Sequence, residues 1–211
     1  MKKANFLVLF AFGVIISAYG QQDPVAGKIL DRFSEKALSA PAVTMTFDLT
    51  IIDTPEETEE TLQGKAVISE GKYKLEMPDN IIWFNGEALW TYTPDVEEVT
   101  ISEPDTADET FVSNPETLFT LYREGYKYRF IEESQEGSII DLYPEDLTTE
   151  FSRIRLIIGK EADLKEAEYR RKDGITLFVK VKTYDLKKDY PASFFLFDPA
   201  SYPGVEVIDM R

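Results

Sequence analysis

The 211-residue chain has no cysteine and no histidine, and its 23 lysines and arginines are outnumbered by 39 aspartates and glutamates, giving a formal charge of −16. Without imidazole or thiol there is no histidine base, no Ser-His-Asp or Cys-His nucleophile, and no zinc site of nitrogen and sulfur ligands. No metal, cofactor or catalytic residue is expected. The shortage of basic residues argues against a nucleic-acid partner, because binding to a phosphate backbone draws on clustered Lys and Arg. Carboxylate chemistry survives: Asp141 with Glu145, or Glu97 with Glu98, have the residue types of a glycosidase, but acids this abundant form such pairs by chance. Apolar residues are not scarce. At 43% of the chain, with 14 Phe, 11 Tyr and 2 Trp, they exclude disorder and suit one sizeable core.

Lys2 and Lys3 precede an apolar run from Phe6 to Ile16, and Ala18-Tyr19-Gly20 sets small residues three and one before Gln21. This is the layout of a secretory signal peptide, too short in its apolar part to span a bilayer permanently. The expected organisation is a signal peptide over residues 1–20 and one domain over 21–211, exported to the periplasm without stable membrane insertion. Removing the two lysines leaves a charge of −18. No cysteine follows the cleavage site, so no lipid anchor is expected there.

Asp23-Pro24 reads as an N-cap with proline at the first helical position, and Val25, Ile29, Phe33 and Ala37 recur every four residues, predicting a helix over 24–38. From Val43 the period changes to two: Val43, Met45, Phe47, Leu49 and Ile51 alternate with polar residues. Further strands are predicted at 62–69, 72–77, 81–85, 87–93 and 96–101. A second series follows at 126–134, 138–143, 153–159, 163–170, 175–184, 193–197 and 204–208, with turn signals such as Asn85-Gly86 and Asp173-Gly174. Residues 53–60 and 103–110 read as acidic, exposed loops. Ser113-Asn114-Pro115-Glu116 starts a short helix, apolar on most of its surface through Leu118, Phe119, Leu121 and Tyr122, which Gly125 stops. The fold class is mainly β (α+β): a strongly curved, incomplete antiparallel barrel whose helices act as a lid over an apolar hollow. Periodicity alone does not separate a hollow from a filled core.

Two segments resemble the LolA family of periplasmic lipoprotein carriers. One is Asn85-Gly86-Glu87-Ala88-Leu89-Trp90-Thr91-Tyr92-Thr93-Pro94-Asp95-Val96-Glu97-Glu98; the other is Phe195-Leu196-Phe197-Asp198-Pro199 continuing to Pro203-Gly204-Val205-Glu206-Val207-Ile208-Asp209, similar to the family's closing strand pair. Weaker echoes run from Val43 to Leu49, Gly64 to Ile68, Pro115 to Arg123 and Arg153 to Gly159. The resemblance implies a carrier that shields the acyl chains of lipoproteins between the inner and outer membranes. It further implies an ATP-driven release complex in the inner membrane and an acceptor in the outer membrane as partners. A LolA-like module for another lipid or glycolipid, or a sensor of one, is the alternative. The family's arginine near the end of the second strand, which bonds to the lid, has no counterpart here, where the chain reads Ser69-Glu70-Gly71-Lys72.

The expected acyl-chain-binding residues are Met45, Phe47 and Leu49 from the first strand, Tyr73, Leu75 and Met77 from the third, and Trp90 and Tyr92 from the family-like strand. Leu118, Phe119 and Leu121 from the short helix, Ile29 and Phe33 from the long helix, and Ile154 and Leu156 would close the hollow. Burying one methylene is worth about 0.8 kcal/mol, so an acyl chain of about fifteen resists entering water by about 12 kcal/mol. The expected carrier works as a monomer by partitioning, with no bond made or broken.

Overall fold

The computed structural model describes residues 22–104 and 110–211. The expected signal peptide and the middle of the second acidic loop lie outside the described residues. The first helix, α1 (Pro24–Leu38), starts where the sequence places it: Asp23 Oδ1 accepts hydrogen bonds from the Val25 and Ala26 amides at 2.8 and 3.2 Å. Its buried stripe is Ala26, Leu30, Phe33 and Ala37, successive turns of one face.

Among the described residues twelve strands form one strongly curved, unclosed sheet. They are β1 (Val43–Asp53), β2 (Thr58–Ser69), β3 (Lys72–Glu76), β4 (Ile81–Phe84), β5 (Leu89–Thr93), β6 (Glu98–Ser102), β7 (Tyr126–Glu133), β8 (Ser138–Pro144), β9 (Phe151–Ile158), β10 (Leu164–Arg171), β11 (Ile175–Asp185) and β12 (Glu206–Asp209). Their order, β12-β6-β5-β4-β3-β2-β1-β11-β10-β9-β8-β7, describes two meanders joined through the β1–β11 pair. The first meander ends at β6 and the second begins at β7, on opposite sides of the sheet. The chain between them crosses the inner face, so a segment lying over the core follows from the topology. Within it sits the short helix α2 (Thr117–Thr120), continued by a 3-10 turn over Leu121–Arg123.

Alternation sorts the strands into faces. Val43, Met45, Phe47 and Leu49 point inward opposite Ile68, Ala66, Gly64 and Leu62. Gly64 is glycine for a packing reason: a Cβ there would sit 2.6 Å from the Met77 sulfur and closer still to the Phe47 ring. The strand expected from 87 begins at Leu89, because the Asn85 side chain accepts hydrogen bonds from the Glu87 and Ala88 amides and keeps them in the turn.

Two expectations near the C-terminus are corrected. Residues 193–197 form no strand; Ala192–Phe195 is a 3-10 turn. The strand expected at 204–208 is β12, and it pairs in parallel with β6 instead of closing an antiparallel pair with 195–197. Pro191, Pro199 and Pro203 lack the amide donors a ladder needs, and Asp198 caps a second turn by accepting from the Ala200 amide at 3.0 Å. The segment wraps the outer face instead. Phe195 packs with Ala42 and Val67, Phe197 and Tyr202 meet Trp83, and the Lys74 ammonium lies between the rings of Trp83 and Phe194 at 5.3 and 5.1 Å.

Candidate functional site

The inner face of the sheet is a continuous apolar surface. β1 gives Met45, Phe47 and Leu49; β3 gives Tyr73 and Leu75; β9 gives Ile154 and Leu156. Met77 follows directly after β3, and all are buried in one core. Ile29 and Phe33 reach it from α1, and Leu118, Phe119 and Leu121 from the crossing segment. Past the end of β3 the β1–β2 hairpin projects, and Ile51, Leu62 and Leu177 continue the apolar face there half-buried, beside the exposed acidic tip with Glu56 and Glu57.

Trp90 and Tyr92 are brought elsewhere. In register, Trp90 stands opposite Trp83, and Leu89 opposite Phe84, which packs into the core, so Trp90 and Tyr92 occupy the outer face. Tyr92 stacks against Tyr202 of the C-terminal wrap with ring centres 4.7 Å apart.

Several interior residues were not among those expected. Ile140 and Leu142 on β8, and Phe151 and Tyr169 on β9 and β10, are buried in the same core, and the period-two pattern of their strands would have marked them. Phe111 carries no such signal. It lies in irregular chain, yet it is 1% exposed and packs edge-on to Phe47 with ring centres 4.9 Å apart.

The crossing segment, residues 110–125, closes over this surface as a lid. Phe119 meets Phe33 of α1 at 5.4 Å between ring centres. Polar contacts fasten the lid on two sides. Toward α1, the Tyr122 hydroxyl donates to Asp31 at 2.7 Å and Arg123 donates to the Ser34 hydroxyl at 2.9 Å. Toward the sheet, the Tyr73 hydroxyl donates to the Ser113 carbonyl at 2.6 Å. The Glu116 carboxylate accepts a hydrogen bond from the Gly71 backbone, and burial raises its pKa above the usual carboxylate value against the opposing pull of that bond. Glu116 stands at a small cleft of about 50 Å³ lined by Ala37, Val43, Ile68 and Phe119 with Ser69 and Glu70 at its edge. The position where the resemblance implies an arginine on the strand is thus served by the reverse arrangement, an acceptor on the lid and a donor in the β2–β3 turn.

This site offers an apolar surface under a short cover held by side-chain contacts. Among the described residues no group of three or more carboxylates is placed to hold a metal ion.

The family described as outer membrane lipoprotein carrier protein LolA matches residues 16–141. A protein named outer-membrane lipoprotein carrier protein from Vibrio cholerae is 24% identical over 186 residues, which cover 86% of this chain and 90% of that protein. One of the same name from Pseudomonas aeruginosa is 29% identical over 137 residues, 62% of this chain and 61% of its own. Among solved structures, an uncharacterized conserved protein from Thermus thermophilus shares the fold with a TM-score of 0.57 at 17% identity, covering 88% of this chain and 99% of its own. The chain belongs to the LolA family of outer membrane lipoprotein carrier proteins.

Proposed function

We propose that this LolA-type carrier module takes up the acyl chains of lipoproteins in the periplasm and hands them from an ATP-driven release complex of the inner membrane to an outer-membrane acceptor. The observation that carries the reading is the lid: a cover of only two short helical turns lies over a continuous apolar surface, held by its own apolar side chains and by hydrogen bonds that include those at Tyr73, Tyr122 and Arg123. Phe111, Leu118, Phe119 and Leu121 occupy the surface that an acyl chain would need. Uptake is then an exchange of lid side chains for methylenes. Because apolar contact is replaced rather than created, the hydrophobic gain largely cancels between the closed and loaded states, and the lid's own closing free energy sets how tightly cargo is held.

The acyl chains would lie against Met45, Phe47, Leu49, Tyr73, Leu75, Met77, Ile154 and Leu156, with Ile29 and Phe33 of α1 on one flank. The signal peptide over residues 1–20 and the single domain after it belong to this reading, which asks for an exported monomer. Mass spectrometry of what copurifies with the exported form, joined to a release assay from inner-membrane vesicles, tests it. Acylated lipoprotein released in stoichiometric amount is the expected result. A free lipid or glycolipid with no released lipoprotein would overturn it in favour of transport of that molecule.

A further inference from the structure

The two halves of the sheet differ on the outside. The C-terminal wrap covers apolar residues over β2 to β5. Over β7 to β10 the outer face carries a cluster of arginines in a protein whose net charge is strongly negative. Residues paired directly across antiparallel strands share a face. Arg129, Asp141, Arg155 and Glu168 form one such row through four strands, and Arg153 stands directly opposite Arg170 beside it.

The two carboxylates are already committed. Arg155 grips Asp141 through a fork at 2.6 and 2.8 Å, and Glu168 receives Arg153 at 2.5 Å and Arg170 at 3.3 Å. Asp141 is 2% exposed; burial opposes its ionisation, but Arg155 and then Arg153 outweigh it and hold its pKa below the usual range. Three guanidiniums therefore share two carboxylates. Arg129, exposed on the edge strand, makes no ion pair within 4 Å among the described residues, although its charge helps lower the Asp23 pKa, and Lys127 lies two positions before it on the same face. Arg153 facing Arg170 is a like-charge pairing that ordinarily destabilises a sheet. Tyr143 is exposed on this face and donates its hydroxyl to Asp141 at 3.1 Å, and half-buried Ile139 and Ile157 separate the arginine rows from Glu132 and Glu166.

We propose that the outer face of β7 to β10 is a membrane-docking surface that takes the phosphate groups of anionic phospholipids. Planar guanidinium forks match phosphate oxygens. With strands about 4.8 Å apart, four of them span about 14 Å, an open platform that suits a field of headgroups better than a single small ion. Tyr143 has the amphipathic ring favoured at such a boundary. On this face Lys127, Arg129, Arg153, Arg155, Arg170 and the Lys180 that pairs with Glu166 stand against Glu132, Asp141, Glu166 and Glu168, so the patch stays net positive, and at about 0.1 M salt acids more than about 10 Å away are largely screened. Docked this way, the protein turns its lid, on the opposite face of the same sheet, away from the bilayer. The proposal does not depend on which cargo the interior takes.

The test is cosedimentation of the chain lacking residues 1–20 with phosphatidylcholine vesicles, with and without about one-third phosphatidylglycerol. Binding is expected to the anionic vesicles alone. The double change R129E and R170E should weaken it about tenfold or more. The charge-matched pair K28E and R32E, on exposed residues of α1, should leave it within about twofold. If charge reversal perturbs the fold, as judged by the urea midpoint, R129Q and R170Q carry the same test with a smaller loss. The idea fails if the unaltered protein ignores anionic vesicles, if both charge-reversed pairs lose binding equally, or if inorganic phosphate at constant ionic strength abolishes vesicle binding, which would mark a small-ion site. Uptake of an acyl probe into the interior, measured in parallel, should be unchanged by R129E and R170E and so reports separately on the carrier reading.

Discussion

α1 and the lid roof the same apolar surface, but they are held there by different physics. α1 is four turns long, buries a full stripe, and is nailed at its start by one residue acting twice: Asp23 Oδ1 caps the helix while Oδ2 accepts the Phe130 amide of the edge strand β7 at 3.0 Å. The Phe130 amide is the leading reason the Asp23 pKa is lowered. Beside it the Gln22 side chain bridges the Tyr126 carbonyl and the Tyr128 amide at 2.9 and 3.1 Å, so two side chains cover an edge that would otherwise be open to pairing. The lid has one turn of α-helix and one of 3-10, far below the length at which a helix persists unaided. Its order comes from what it touches, and its polar fastenings can be exchanged for water. One cover holds its shape through its own length and buried stripe, the other only through its contacts with the sheet and α1.

Truncating either side of the Phe33–Phe119 contact separates the two covers by the largest expected effect. Phe33→Ala should cost about 3–5 kcal/mol of global stability in urea titration, the usual range for a fully buried phenylalanine. Phe119→Ala, although as deeply buried, should cost only about 1–2 kcal/mol, because the lid can detach and the loss cannot exceed its own closing free energy. It should instead raise the binding of a hydrophobic dye. Equal global losses from the two would show that lid and scaffold unfold as one unit.

Tyr73→Phe removes the hydroxyl that holds the Ser113 carbonyl. About 1 kcal/mol of lid closure should be lost, seen as faster amide exchange in residues 110–123 with the urea midpoint nearly unchanged. The smallest expected effect concerns Glu116. Its pKa is raised in the closed state, so that state binds a proton more tightly than the open one. Closure is then favoured at low pH and weakens as pH climbs from the ordinary carboxylate value near 4.5 to the raised one. Glu116→Gln keeps an acceptor for the Gly71 amide without the charge, so dye binding should become flat with pH and lower near neutrality by a few tenths of a kcal/mol in closure. A pH dependence that survives the substitution would place the titrating group elsewhere.

How much of this was legible in the sequence depended on the range of the interaction. Asp23-Pro24 announces the start of α1 because capping involves amides only two and three residues away. The alternation in β1 announces its inner face because one side is apolar and the other is threonine and aspartate. In β5 the same reasoning meets a strand that is covered on both sides. Leu89 faces the roofed interior and Trp90 and Tyr92 face the C-terminal wrap, so hydrophobicity no longer identifies the inside. The wrap itself was hidden because three phenylalanines in a run of four have no period that distinguishes a strand from a segment laid across a sheet.

The sequence by itself determined the placement of α1, most of the two series of strands though not 193–197, and the apolar character of the short helix, since caps and periodicity act within a few residues. Tertiary structure alone decided the rest. It chose which of two apolar faces became the interior, sent the link between β6 and β7 across that interior as a lid, and set Glu116 against the Gly71 backbone. It also gathered Arg129, Arg153, Arg155 and Arg170 from three strands onto one face around Asp141 and Glu168. The charged partners come from neighbouring strands and meet only through the register of β7 to β10, while Gly71 and Glu116 meet because the link between β6 and β7 crosses the sheet.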